Sequence, residues 1–143
     1  MTFVEALGQP KPLIVRPGEG PVGVSGGTLA VHEWTMPGPS YLHVHRSNDE
    51  GFHVLEGTLR FHTAEGDIDA AAGTTVFVPA GAPHSYSCIG PSRYLIFLTP
   101  NMDRLISKLI ALEDDALIPA TLAEHDTEIV GWVRPPGPWA QGR

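Results

Sequence analysis

Short stretches of alternating hydrophobic and polar residues fill most of this 143-residue chain, and glycine or proline separates one stretch from the next. Because side chains two apart on a strand point to the same face, this alternation predicts half-buried β-strands. The predicted strands span residues 28–36, 50–55, 58–63, 68–72, 74–78, 84–88 and 93–99. A turn at Glu56-Gly57 joins the second and third of these into a predicted hairpin. Many short strands at such spacing predict an all-β sandwich or barrel.

The hydrophobic period changes after residue 100. Apolar residues there fall three and four apart, as on the buried stripe of an amphipathic helix, and they are Met102, Leu105, Ile106, Leu109 and Ile110. Asn101 or Asp103 could cap the start of this helix. A second short helix is predicted over residues 120–125. We therefore expect C-terminal α-helices that pack on the sheet.

The chain length favours one domain. We predict four segments, namely an N-terminal extension, a barrel core, a helical cover and a loose tail, over residues 1–27, 28–100, 101–131 and 132–143. The 16 glycines and 14 prolines fit many tight turns between short strands. The N-terminal extension could supply edge strands, and such an edge is one route to a dimer.

Charge and composition exclude several function classes. The formal net charge is −7 and the lysines and arginines form no cluster, so we expect no nucleic-acid or anionic membrane partner. No run of 18 apolar residues predicts a membrane span. The first residues lack the basic and apolar regions of a signal peptide, and a single cysteine, Cys88, permits a reducing compartment. A cytoplasmic location is the resulting expectation.

Candidate metal ligands are concentrated in one stretch. His43, His45 and Glu50 lie within eight residues, and His84 follows a proline- and glycine-rich turn. His43 and His45 are two apart, so on a strand both imidazoles would point to one face. A lone histidine on a strand is usually only a hydrogen-bonded residue. Three imidazoles and one carboxylate together suit zinc, iron, manganese, cobalt, nickel or copper, with coordination positions left for water, dioxygen or substrate.

The spacing of these residues resembles the first motif of the cupin superfamily, G-x5-H-x-H-x3or4-E-x6-G. His43 and His45 are followed after four residues by Glu50 and after six more by Gly57. The chain departs from the motif at Gly38, because four residues, not five, lie between Gly38 and His43.

The second cupin motif, G-x5-P-x-G-x2-H-x3-N, is matched by Gly73, Pro79, Gly81 and His84, with Cys88 in place of the asparagine. The resemblance covers about residues 28–99. It implies a double-stranded β-helix of the jelly-roll type. It also implies that one divalent transition metal per chain is bound by His43, His45, Glu50 and His84.

Residues that share a strand face with these ligands are candidates for the wall of a substrate cavity. They are Phe52, Val54, Tyr86 and Cys88, with Trp34 as a further aromatic candidate. Plain barrel packing is the alternative for each of them. Tyr86 is the best polar candidate, since a buried hydroxyl needs a partner. His32 is expected at the surface, and His53 and His62 are expected to face outward.

The resemblance extends to small single-domain cupins similar to quercetin 2,3-dioxygenase, through the segment DEGFHVLEG and the C-terminal end of the chain. It implies a metal-dependent dioxygenase acting on an enolisable aromatic or polyphenolic substrate. Glu50 would be both a ligand and the base that deprotonates the substrate hydroxyl. By the same resemblance, a homodimer formed through sheet edges is expected.

Two other functions remain open. A cupin similar to aromatic polyketide cyclases would use the same site without oxygen chemistry, with a metal-polarised carbonyl and a base removing an α-proton. A small-molecule-binding or sensing module would bind its ligand without turnover.

Overall fold

The computed structural model of the protein describes residues 2–6 and 11–133, and strands dominate it. The strands are β1 Thr2–Glu5, β2 Val22–Ser25, β3 Ala30–Trp34, β4 Tyr41–His45, β5 Glu50–Thr63, β6 Gly66–Ala71, β7 Thr75–Val78, β8 His84–Leu98 and β9 Thr127–Trp132. The helices are α1 Pro100–Ala111 and α2 Ile118–Ala123, with a short 3-10 turn at Asp115–Leu117 before α2. Within the described residues, no helix is long and apolar enough to cross a membrane.

β8 is the strand that connects the two halves of the sheet. Its start pairs with β4, its end pairs with β3, and β5 runs antiparallel to it along most of its length. β2 and β1 continue beyond β3, β9 lies beyond β4, and β6 and β7 pair with β5. One long strand thus serves two sets of neighbours, and the sheet closes around an apolar interior as in a jelly roll.

β5 is one continuous strand, so the hairpin predicted at Glu56-Gly57 is wrong. The register against β8 shifts twice between Val54 and Thr58, which marks a bulge. Gly57 has a φ of +75°, and a Cβ there would collide with the Pro91 carbonyl oxygen. A glycine at a bulge and a glycine in a turn give the same sequence signal, and the hydrogen bonds to β8 decide between them.

The bulge also changes which residues of β5 face inward. Before it Phe52 and Val54 are buried, and after it Leu59 and Phe61 are buried, each at most 3% exposed. Inward residues therefore change from even to odd numbers across the bulge. The ring centroids of Phe52 and Phe61 are 5.1 Å apart in an edge-to-face contact, which forms the centre of the core.

The two predicted helices are present with shifted ends. α1 begins at Pro100, and its N-cap is Thr99, whose side chain accepts a hydrogen bond from the Met102 N–H. Asn101 and Asp103 are therefore not the cap, because the last residue before the helix already supplies the oxygen. α2 covers Ile118–Ala123 instead of 120–125.

β9 occupies a segment for which the sequence predicted only helical cover. It pairs antiparallel with β4, the strand that carries His43 and His45. In the N-terminal extension, β1 pairs in parallel with β2 at the edge of the sheet. Most of the predicted loose tail, residues 134–143, lies outside the described residues.

Candidate metal centre

Three strands bring the predicted ligands together. His43 and His45 project from β4, and His43 is the register partner of His84 at the start of β8. Glu50 is the first residue of β5. All four side chains are buried, at most 7% exposed. One potential ligand nitrogen from each histidine lies within 4.8 Å of the other two, a spacing at which one ion can contact all three.

Glu50 faces two of the three imidazoles. Its Oε2 atom lies 3.1 Å from Nε2 of His45 and 3.7 Å from Nε2 of His84. The carboxylate is therefore placed beside the same group of nitrogen atoms as the sequence predicted. Three imidazoles with an adjoining carboxylate form a donor set for a divalent transition metal.

Backbone carbonyls set the tautomers of His43 and His84. Nδ1 of His43 lies 3.3 Å from the Tyr41 carbonyl oxygen, and Nδ1 of His84 lies 2.9 Å from the Ala82 carbonyl oxygen. A carbonyl oxygen can only accept, so each Nδ1 donates its proton there. The Nε2 atoms then carry the free lone pairs that a metal ligand needs.

A hydroxyl on β9 sets the tautomer of His45. The Thr127 Oγ1 atom lies 2.9 Å from Nδ1 of His45 and donates its own proton to the His125 carbonyl oxygen at 3.1 Å. Thr127 must therefore accept from His45, which leaves the Nε2 lone pair of His45 free. Sequence reasoning missed Thr127, because nothing in the pattern placed β9 beside β4.

The unpartnered atoms of the centre fit a metal ion. Nε2 of His45, Nε2 of His84 and Oε2 of Glu50 are buried without a hydrogen-bond partner among the described residues. Each buried polar atom left unsatisfied costs about 1–3 kcal/mol. A shared cation would satisfy all three at once.

Electrostatics at the centre also favour a cation. Burial, and then the neighbouring imidazoles of His84 and His45, lower the pKa of His43 well below its ordinary value. Burial alone would raise the pKa of Glu50, but the contacts with His45 and His84 outweigh it and hold that pKa well below the usual range. Burial also opposes a charged His84, yet its contact with Glu50 raises its pKa. An ionised carboxylate and a neutral His43 are therefore present at neutral pH.

A cavity of about 190 Å³ opens onto this centre. Its lining includes the polar side chains of His43, His45, Glu50, Tyr41 and Tyr86, and apolar side chains outnumber them. The apolar part of the wall comes from β3, β8, both helices and the segment 36–39, and it includes Trp34, Ile96, Met102, Leu105 and Leu122. The predicted wall residues Trp34 and Tyr86 do line this cavity.

The other three predicted wall residues lie elsewhere. Phe52 and Val54 are fully buried in the core and do not line the cavity, since Phe52 packs behind the Tyr86 ring at a centroid distance of 5.1 Å. Cys88 is half-buried, with Sγ 3.9 Å from the Thr35 carbonyl oxygen, and it is also absent from the wall. A shared strand face with the ligands was therefore not enough to predict which residues line the cavity.

The Tyr86 hydroxyl is committed to the protein. Tyr94 donates its hydroxyl proton to the Met36 carbonyl oxygen, so Tyr86 must be the donor in the 2.9 Å contact between the two hydroxyls. Burial raises the pKa of Tyr86, which keeps it protonated. Tyr86 therefore presents its ring to the cavity, while its hydroxyl is hydrogen-bonded to Tyr94 on the same strand, β8.

His32 is buried, contrary to the prediction of a surface position. Its Nε2 atom lies 2.6 Å from Oδ1 of Asp103 on α1, and its Nδ1 accepts a 3.1 Å hydrogen bond from the Trp34 indole. His32 therefore links β3 to α1 and orients an aromatic ring of the cavity. A polar residue at this position looked solvent-facing because its partner on α1 comes 71 residues later.

Comparison with known proteins supports the fold expected from the two motifs. A cupin domain model matches residues 27–99, just over half of the chain. The protein therefore belongs to the cupin family, and the predicted all-β jelly-roll fold with C-terminal helices is confirmed. None of the curated proteins matches this chain at a significant level.

Several solved structures are similar to the chain. Pac13 of Streptomyces, described as a unique nucleoside dehydratase, is 14% identical with a TM-score of 0.51, over 75% of this chain and 72% of that one. A cupin-2 domain protein from Shewanella frigidimarina is 26% identical with a TM-score of 0.45, over 48% and 68%. A cupin protein from Bacteroides fragilis is 18% identical with a TM-score of 0.45, over 51% and 66%. The likeness to Pac13 shows a shared fold.

Proposed function

We propose that this protein is a metal-dependent cupin enzyme that holds one divalent transition metal with His43, His45, His84 and Glu50. The observation that carries the proposal is the meeting of three imidazoles and one carboxylate beside a mostly apolar cavity, which His43, His45 and Glu50 help to line. The Nδ1 partners of all three histidines support it, since they leave the Nε2 atoms as lone-pair donors.

The reaction we propose is dioxygenation of an enolisable aromatic substrate. A bound ion would supply Lewis acidity for the substrate oxygen and, if redox-active, electrons for dioxygen. Among the described residues that line the cavity, Glu50 is the one with a carboxylate. It is therefore the group that can accept the proton of the substrate hydroxyl. The apolar wall around it excludes water from the deprotonated substrate.

Oxygen uptake tests this reaction. The protein would be loaded separately with iron, manganese, cobalt, nickel, copper and zinc, and supplied with flavonols and smaller enolisable phenols. We expect uptake with at least one redox-active ion and its loss in Glu50→Gln, which keeps the shape but removes the basic carboxylate. Cys88→Ser, away from the cavity wall, is the matched control. No uptake with any ion and any of these substrates would refute the dioxygenase proposal.

Cyclisation or isomerisation without oxygen is the second candidate. It is favoured by the presence of one base, Glu50, beside the ligands, together with a Tyr86 proton that is already committed to Tyr94. A proton shift needs only that base. Conversion of an enolisable substrate by the zinc-loaded protein without dioxygen would establish this alternative. Recovery of a bound ligand unchanged under all conditions would instead support a binding module.

We also propose a cytoplasmic homodimer. Exposed apolar side chains on the edge strand β1, Phe3 and Val4, and Ile14 in the segment between β1 and β2 support an interface there. Analytical ultracentrifugation tests the dimer, and Phe3→Glu would shift it toward a monomer. A monomer at high concentration would contradict this proposal without affecting the metal site.

A further inference from the structure

The helix α1 forms one wall of the cavity instead of only covering the sheet. Its apolar stripe contributes Met102, Leu105, Ile106, Leu109 and Ile110 to the lining. The segment 36–39, which joins β3 to β4, contributes further lining residues. The lining thus combines three of the candidate ligands, His43, His45 and Glu50, with apolar residues from different parts of the fold.

Exposure along this wall marks the direction of entry. Met102 and Leu105 are each 1% exposed, whereas Ile110 is 41% exposed and Met36 is 37% exposed. The side chains that both line the cavity and reach solvent are therefore apolar. The lining of the cavity therefore reaches solvent at apolar side chains such as Ile110 and Met36.

The wall offers few groups to a polar ligand. Among the described residues that line it, none is a lysine or arginine, so a phosphate has no cationic partner there. The Gly38 N–H donates to the Tyr86 carbonyl oxygen at 3.1 Å, and the Tyr86 hydroxyl donates to Tyr94. A phosphate would lose its hydration in this cavity without a cationic side chain to replace it, and away from the candidate ligands the lining is mostly apolar.

Two contacts hold the wall in place. The Thr99 hydroxyl caps α1, and Asp103 of the first turn binds His32 on β3 at 2.6 Å. The helix is therefore fixed to the barrel at its N-terminal end, close to the buried part of the cavity. The entrance is at its C-terminal end, where Ile110 lies in the last turn.

We propose that α1 and the segment 36–39 form an apolar entrance that selects molecules with one metal-ligating edge and an apolar remainder. The proposal rests on the proposed function only for the ligating edge, which requires the ion. The cavity volume of about 190 Å³ is below the usual range for drug-sized ligands, so a one- or two-ring substrate fits better than a larger one.

Three probe molecules test the ligating edge and the apolar remainder of the ligand separately. Tropolone carries a ligating oxygen edge, isopropyl-substituted tropolone adds an apolar arm, and isopropylbenzene has the arm without the edge. On the metal-loaded protein, we expect the arm to increase affinity by up to about fiftyfold, the value for full burial of three carbon atoms. On the metal-free protein, we expect isopropylbenzene to bind weakly but measurably.

The decisive variant is Ile110→Glu, which places a charge at the entrance. We expect it to remove the affinity gain of the arm and the binding of isopropylbenzene, with metal content retained. Ile68→Glu is the matched control, because Ile68 is 60% exposed on β6 and does not line the cavity. Circular dichroism confirms the fold of both variants.

The outcomes separate the two proposals. A gain from the arm that persists in Ile110→Glu, or no gain in the wild type, would overturn the apolar entrance. If the protein binds neither metal nor tropolone, the proposed function fails. Binding of isopropylbenzene that is lost in Ile110→Glu would still support the entrance in that case, and absence of such binding would refute it.

Discussion

The Thr127 hydroxyl is the least obvious contributor to the metal centre, and its removal has a defined consequence. Thr127 is 1% exposed, and it accepts from His45 Nδ1 at 2.9 Å while donating to the His125 carbonyl oxygen. Thr127→Val keeps the size and shape of the side chain. It leaves the His45 N–H buried and unpaired, whereas the His125 carbonyl oxygen keeps a hydrogen bond from the Asn101 side chain at 3.2 Å.

The magnitude follows from these contacts. One buried donor loses its acceptor, which costs the metal-free protein about 1–3 kcal/mol of unfolding free energy. His45 also loses the partner that fixes its tautomer and ring orientation, and losing such a partner typically lowers metal affinity about 10–100-fold. We expect the lower part of that range, because the lost hydrogen bond is between neutral groups.

The assay is competition with a chelator for zinc or nickel, alongside thermal unfolding of the metal-free protein. Thr127→Ser keeps the hydroxyl and should bind metal nearly as tightly as the wild type. Thr121→Val is a second control, since the Thr121 hydroxyl is also largely buried but donates to the carbonyl oxygen of Leu117, the residue just before α2. Equal metal affinity in Thr127→Val and Thr127→Ser would refute the positioning role of the hydroxyl.

Three further predictions concern residues around the centre. Tyr86→Phe should retain the metal and lose about 1 kcal/mol of unfolding free energy, because only the hydrogen bond to Tyr94 is removed; loss of metal in chelator competition would contradict this. Burial lowers the pKa of His32 below 6.5, so the unfolded chain takes up a proton that the folded protein resists, and stability should fall as pH falls below about 6.5. In His32→Gln, denaturant titrations at several pH values should show a weaker dependence, and an unchanged one would count against the assignment. Gly57→Ala should cost about 2 kcal/mol or more, since its φ is +75° and its Cβ would meet backbone atoms, whereas Gly27→Ala, with open space around it, should be near neutral in the same titrations.

The candidate ligands could be predicted because the signal that places them is mostly local. His43 and His45 face one way because they are two apart on a strand. Their distance from His84 in the chain is bridged by the second motif, and the register between β4 and β8 brings the two together. The helix α1 could likewise be predicted from its own apolar stripe.

What the sequence could not show depends on pairing between distant segments. Glu56-Gly57 has the composition of a turn, and only the hydrogen bonds to β8 make it a bulge within one strand. Thr127 and His32 have partners 82 and 71 residues away, so their roles appear only once β9 lies against β4 and α1 lies against β3. Phe52 faces inward as predicted, but its depth in the barrel depends on how the Tyr86 ring packs over it.

The most direct test of the metal centre is the metal content of the purified protein after reconstitution, measured by elemental analysis for the wild type, His43→Ala and His84→Ala. The account predicts about one equivalent of a divalent transition metal per wild-type chain. It predicts loss of most of that metal in each variant, with a circular dichroism spectrum that shows the fold retained. Stoichiometric metal in both variants, or none in the reconstituted wild type, would contradict it.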